Sequence, residues 1–218
     1  MLTFNLLAAL LAVVVPTATP TEQPPKTIIT VTSTPYCNSL ANHFNGALAP
    51  MLGNDRTLDG VSVQLDDLNT MFSQPNYVQR FLQTRDALGK QETALNTSLN
   101  QIQAEINQLR DGSKLTTDAD AAAQIHQAAQ YLQTAYDKQR QLSVDIQGMY
   151  EAMLRYPINR INPALGGFDP QEERMPADER NVRSYLKFDS QRKTIDDNEN
   201  KAVDVATTAA ETHCAPKK

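Results

Sequence analysis

Apolar side chains recur at alternating spacings of three and four along residues 78–109: Val78, Phe81, Leu88, Leu95, Leu99, Ile102, Ile106 and Leu109. Arg85 and Glu92 fall on the same register as two polar layers. That is the seam of a heptad helix. A second seam runs Ile125, Ala128, Leu132, Ala135, Gln139, Leu142, Ile146, Met149, Met153, Tyr156. Between them Asp111-Gly112-Ser113-Lys114 reads as a turn. Thr116 and Thr117 offer N-caps, with Asp118 and Asp120 placed in the first turn, where the helix dipole favours acids. Residues 76–156 hold no proline and only three glycines, which suits two long helices. Joined by a short turn, they must run antiparallel. Folding about 114–116 sets Glu92 near Lys138, Gln139 and Arg140, and Arg85 near Asp145.

The flanking patterns are weaker. Residues 38–52 and 58–73 read as two helices, the second with Leu58, Val61, Leu65, Leu68 and Phe72 on one face. Pro75 separates them from the hairpin. Residues 157–178 carry four prolines and Gly166-Gly167, and are expected to form an irregular loop. Residues 179–214 lack both Pro and Gly and read as a long C-terminal helix with a thin apolar stripe: Val182, Tyr185, Phe188, Ile195, Ala202, Val203, Ala206, Ala209. Arg192 and Glu199 fall near that stripe. The expected fold is therefore all-α: an elongated bundle of three to four helices over 37–218, containing a coiled-coil hairpin at 76–156.

The N-terminus reads differently. Leu6 to Val15 is an unbroken apolar run, followed by Pro16-Thr17-Ala18. It is too short to span a bilayer, which needs about 20 residues, and has the pattern of a cleaved secretory signal ending at Ala18. No Lys or Arg precedes the run, and a buried helix is the competing reading. Residues 16–35 hold five of the twelve prolines and seven threonines, which predicts a disordered linker over 19–36. A secreted or periplasmic protein follows, with no stable membrane insertion after signal cleavage.

Composition narrows the function classes. The formal net charge is -5, with a pI near 5.2, which argues against a nucleic-acid partner. Cys37 and Cys214 are the only cysteines. In an exported chain they predict one disulfide between the two ends of the folded region. With His43 and His213 they would alternatively supply a Cys2His2 zinc set, although adjacent His213 and Cys214 are awkwardly spaced for one ion. His126 lies one step off the second seam, without an evident partner.

No Gly-x-Ser-x-Gly, His-Glu-x-x-His or phosphate-cradling glycine loop occurs. The acidic pairs Asp66-Asp67, Glu172-Glu173 and Asp196-Asp197 are neighbours in sequence, which on a helix point about 100° apart. No catalytic residue, metal ligand or cofactor is assigned on these patterns. Arg155, Tyr156, Arg160, Phe168 and Arg174, in and beside the proline-rich loop, form the candidate interaction surface. Asn96-Thr97-Ser98 fits a glycosylation sequon. The reading is an exported, non-enzymatic protein that works through a protein partner or self-association. The alternative is a small-molecule or metal-binding helical bundle.

Overall fold

The computed structural model describes residues 34–70, 74–155 and 186–215. The leader, the linker to residue 33 and the proline-rich loop 157–178 lie outside these residues. So does the part of the C-terminal helix expected before Leu186. Four helices make up nearly all of the rest: α1 (Pro35–Thr70), α2 (Tyr77–Gly112), α3 (Ala119–Arg155) and α4 (Phe188–His213). Successive helices pack on one another, α1 on α2, α2 on α3 and α3 on α4, while α1 and α4 meet along a thinner seam. The result is a four-helix bundle. At about 1.5 Å per residue the three long helices each run about 54 Å.

One helix stands where two were expected. Pro50 lies inside α1 without ending it. The reason is visible in the burial pattern. Cys37, Leu40, Phe44, Ala47, Met51, Asn54, Leu58, Val61, Leu65 and Leu68 are all buried, and their spacing alternates three and four from end to end. Pro50 sits beside that seam. A proline costs a helix its N–H bond and crowds the carbonyl one turn back, but here burial on both sides of residue 50 holds the same axis.

The hairpin forms as expected and in a different register. Asn96 Oδ1 accepts from Ser143 Oγ at 2.8 Å, and Gln103 pairs with Gln133 through two amide bonds of 3.0 Å. Against the expected pairing, the partner of each α2 residue lies about two turns further along α3. The cause is the length of the turn. A 3-10 segment, Ser113–Leu115, and three further residues precede α3, so the fold point lies nearer 118 than 115. Asp118 caps α3, its Oδ1 accepting from the backbone N–H of Asp120 (2.9 Å) and Ala121 (3.2 Å). Thr116, expected as a cap, instead accepts from Asp118 N. Gly112 is needed where the helices converge, because a methyl there would collide with the Ser39 hydroxyl and press on Ile125.

The buried face of α2 also departs from the expected polar layers. Arg85 turns to its neighbour Asp86 (2.8 Å), and Glu92 bonds to Asn96 on its own helix. Thr84 takes the inward position instead, at 2% exposure, and Gln91 puts its buried Oε1 against the core. Gln139 alone of the three expected polar layers is interior, at 0% exposure.

Candidate functional site

Gln139 is the centre of a polar layer to which all four helices contribute. Its Oε1 accepts from Asn54 Nδ2 of α1 at 2.9 Å. Asn54 Oδ1 in turn accepts from Ser98 Oγ of α2 at 2.6 Å. On its other side Gln139 Nε2 donates to the Met51 carbonyl at 3.1 Å, and it faces Asp55 Oδ1 at 3.3 Å and Glu199 Oε1 of α4 at 3.4 Å. The backbone carbonyl fixes which way the amide points, since only its NH2 can donate there. Glu199 is fully buried. A carboxylate so placed is costly unless it meets donors, and the Gln139 amide is one.

The layer reaches solvent along the α1–α4 seam. Arg192 Nη1 donates to Asp55 Oδ1 at 2.6 Å, and Nη2 donates to Asp59 Oδ1 at 3.1 Å. Asp55, Asp196 and Glu199 bring one oxygen each within 4.8 Å of the others. That spacing resembles a cation site, yet Asp55 faces the Arg192 guanidinium, and Asp55 and Glu199 both face the neutral Gln139 NH2. The arrangement ties α1, α3 and α4 at one level by charge-assisted bonds.

A second cluster closes one end of the bundle. Cys37, at the start of α1, is bonded to Cys214, just past α4, and both are buried. His213 Nδ1 lies 3.3 Å from Asp118 Oδ2, and its ring packs edge-on against Tyr36 at 6.3 Å. The Tyr36 hydroxyl donates to the Ala121 carbonyl at 3.0 Å. Burial, with a smaller contribution from the Asp118 charge, pushes the Tyr36 hydroxyl up to about 12. The Asp118 carboxyl is held below its ordinary value, first by the backbone N–H of Ala121, with smaller help from Asp120 and His213.

These contacts sort the residues singled out in the sequence. The disulfide is present, so its sulfurs are not thiolate ligands for zinc, and the two histidines turn to separate carboxylates. His43 Nδ1 sits 2.7 Å from Glu105 Oε2 of α2, at the far side of α1 from α4. His126 is exposed. Arg155 ends α3 in the open, bonded back to Glu151; Tyr156, Arg160, Phe168 and Arg174 lie outside the described residues. In the Asn96 sequon, the Asn96 amide bonds to Glu92 and Ser143, and Ser98 belongs to the interior layer.

The layer itself was missed, apart from Gln139. Its α1 members Asn54 and Asp55 lie in the gap left between the expected helices 38–52 and 58–73. The signal that finds them is the unbroken three-four spacing through Met51, Asn54 and Leu58.

Comparison with protein families, curated proteins and solved structures returns no match for this chain. No described helix is long and apolar enough to cross a membrane.

Proposed function

We propose that this chain is an exported, non-enzymatic helical bundle that acts by presenting its long helical surface to a protein partner or to a second copy of itself. The observation that carries the reading is how the reactive side chains are employed. His43 is held by Glu105, His213 by Asp118, Arg192 by Asp55 and Asp59, and the cysteines by each other. Each of these contacts fastens one segment to another. Side chains spent in this way build a rigid rod, and what a rod offers is its outer face.

The face offered is polar and mostly uncharged. Gln127, Gln130, Gln141 and Gln147 are exposed along α3, with Val144 among them. Such a surface suits adaptor, envelope-assembly or chaperone-like contacts. Export follows from the apolar run at Leu6–Val15 and is supported by the disulfide, a bond that persists in oxidising compartments.

Two measurements test the reading. A photo-crosslinking residue at exposed Val63 of α1 or Val144 of α3, in the producing cell, is expected to trap one discrete protein from one face. A scan over all four helices that traps nothing would remove the interaction reading. The intact mass of the secreted chain is expected to begin near residue 19 and to be two hydrogens light; an uncleaved N-terminus removes export. Metal retained by the native protein would favour the metal-binding alternative.

A further inference from the structure

The C-terminal half of α4 buries smaller side chains than the seams of α1–α3 do. Its helical residues that are fully buried are Ala202, Ala206 and Ala209, with Val203, Val205 and Ala210 partly buried beside them. At that level α3 also offers small residues, Ala128, Ala129 and Ala135, beside Leu132. The level is marked by Lys201, whose ammonium lies 5.8 Å from the centre of the Tyr131 ring, and by His213 at Asp118. A buried methyl removes little apolar surface from water compared with a leucine. One layer nearer the N-terminus of α4, Glu199 interrupts the apolar face. Cys37–Cys214 then closes the end, linking residues 177 positions apart.

We propose that this disulfide is a redox latch on residues 200–214: when it is reduced, this half of α4 leaves the bundle while α1, α2 and α3 stay packed. The reductant is a dithiol. Its thiolate attacks one sulfur, forms a mixed disulfide and expels the other cysteine as a thiolate, which takes a proton. Its second thiol then closes the reductant's own disulfide and frees the remaining cysteine, so two electrons and two protons pass to the protein. Both cysteines are buried, so attack waits until the end of α4 opens. Release would bare core side chains at that level, among them Phe44 and Leu132. The inference goes beyond the proposed function, because it requires no partner and stands whether or not one exists.

Hydrogen exchange on the full mature chain, oxidised and then held in dithiothreitol, tests it. Amides of 202–213 are expected to exchange about tenfold faster or more after reduction. Those of 99–109 and 128–146 are expected to keep their protection within about twofold. A chain carrying Cys37→Ala and Cys214→Ala should reproduce the reduced pattern. Equal loss along all four helices would overturn the latch, since the bond would then be a clamp on the whole fold; so would failure of the double variant to fold. Unchanged protection over 202–213 would overturn it in the opposite sense, because packing alone would hold the helix.

Discussion

Helices α2 and α3 meet through Leu95, Leu99, Ile102, Ile106 and Leu109 on one side and Ile125, Leu132, Leu142 and Ile146 on the other. Helix α4 meets the bundle through Phe188 and Ile195, then a carboxylate, then three buried alanines flanked by partly buried Val203, Val205 and Ala210. The first surface is held by apolar area. The second is held by individual bonds: Arg192 to Asp55, Glu199 to Gln139, His213 to Asp118, and the disulfide. The contrast teaches how one fold divides its sources of stability. Burial of branched side chains is indifferent to pH and to redox state. Bonds between named groups depend on both partners, on protonation and on redox state.

The largest expected effect breaks the first surface. Ile102→Ala or Leu132→Ala should cost about 2–5 kcal/mol, the range for truncating a fully buried side chain. By contrast Ala206→Gly in α4 should cost about 1–2 kcal/mol, from helix propensity and one buried methyl. Urea denaturation of the oxidised protein measures both. Equal costs at the two places would erase the distinction between the surfaces.

Next comes the polar layer. Gln139→Leu keeps much of the volume but leaves Asn54 Nδ2 facing no acceptor and Glu199 facing no amide, at an expected loss of about 1–3 kcal/mol. Adding Glu199→Leu removes the carboxylate that the Gln139 amide faces. The pair should therefore be non-additive, with a coupling of about 0.5–3 kcal/mol in a double-mutant cycle. Simple additivity would mean that the two side chains do not share the layer.

How much of this was legible beforehand depended on which residue carried the signal. Leucine and isoleucine on a three-four spacing announced α2 and α3 directly, because burial is what fixes that spacing. The same spacing runs through α1, but polar Asn54 stands on it between the expected helices 38–52 and 58–73, and the long buried face carries one helix through. Register was the weaker inference. Nothing in the seam residues says how many positions the turn consumes, and the 3-10 segment at Ser113–Leu115 moved every partner. The site was least legible, since Asn54, Gln139, Arg192 and Glu199 come from three helices and meet only in three dimensions.

A smaller and pH-dependent effect belongs to Asp118, at the end where the bonds gather. Its carboxyl titrates below the ordinary 3.8 in the folded chain. A lowered folded value means the unfolded state binds the proton more readily. The charged carboxylate therefore stabilises the fold above that ordinary value, and the contribution fades as pH falls through the folded one. Asp118→Asn keeps an N-cap oxygen and loses the charge. Wild type should melt higher than the variant at pH 6, and the two should converge toward pH 2. A constant gap across that range would assign the contribution to geometry instead of charge. Tyr36 gives the matching alkaline signature. Its folded value of about 12 exceeds the ordinary 10, so its contribution is complete below 10 and is lost as pH rises toward 12.

The smallest expected effect sharpens the register itself. Had the seam of α2 run through Arg85 and Glu92, they would be interior polar layers, and replacing both with leucine would stabilise it. In the observed register Arg85 bonds to Asp86 and Glu92 to Asn96, and both residues are half-buried on the flank of α2. Arg85→Leu and Glu92→Leu should each change stability by no more than about 0.5 kcal/mol, the usual range for surface positions. Gln91→Leu makes the useful contrast, because its Oε1 is buried without a hydrogen-bond partner among the described residues. Removing an unsatisfied buried oxygen should stabilise the protein, so Gln91→Leu is expected to gain where Glu92→Leu does not. If the two gains came out reversed, α2 would be rotated by one position from the seam described here.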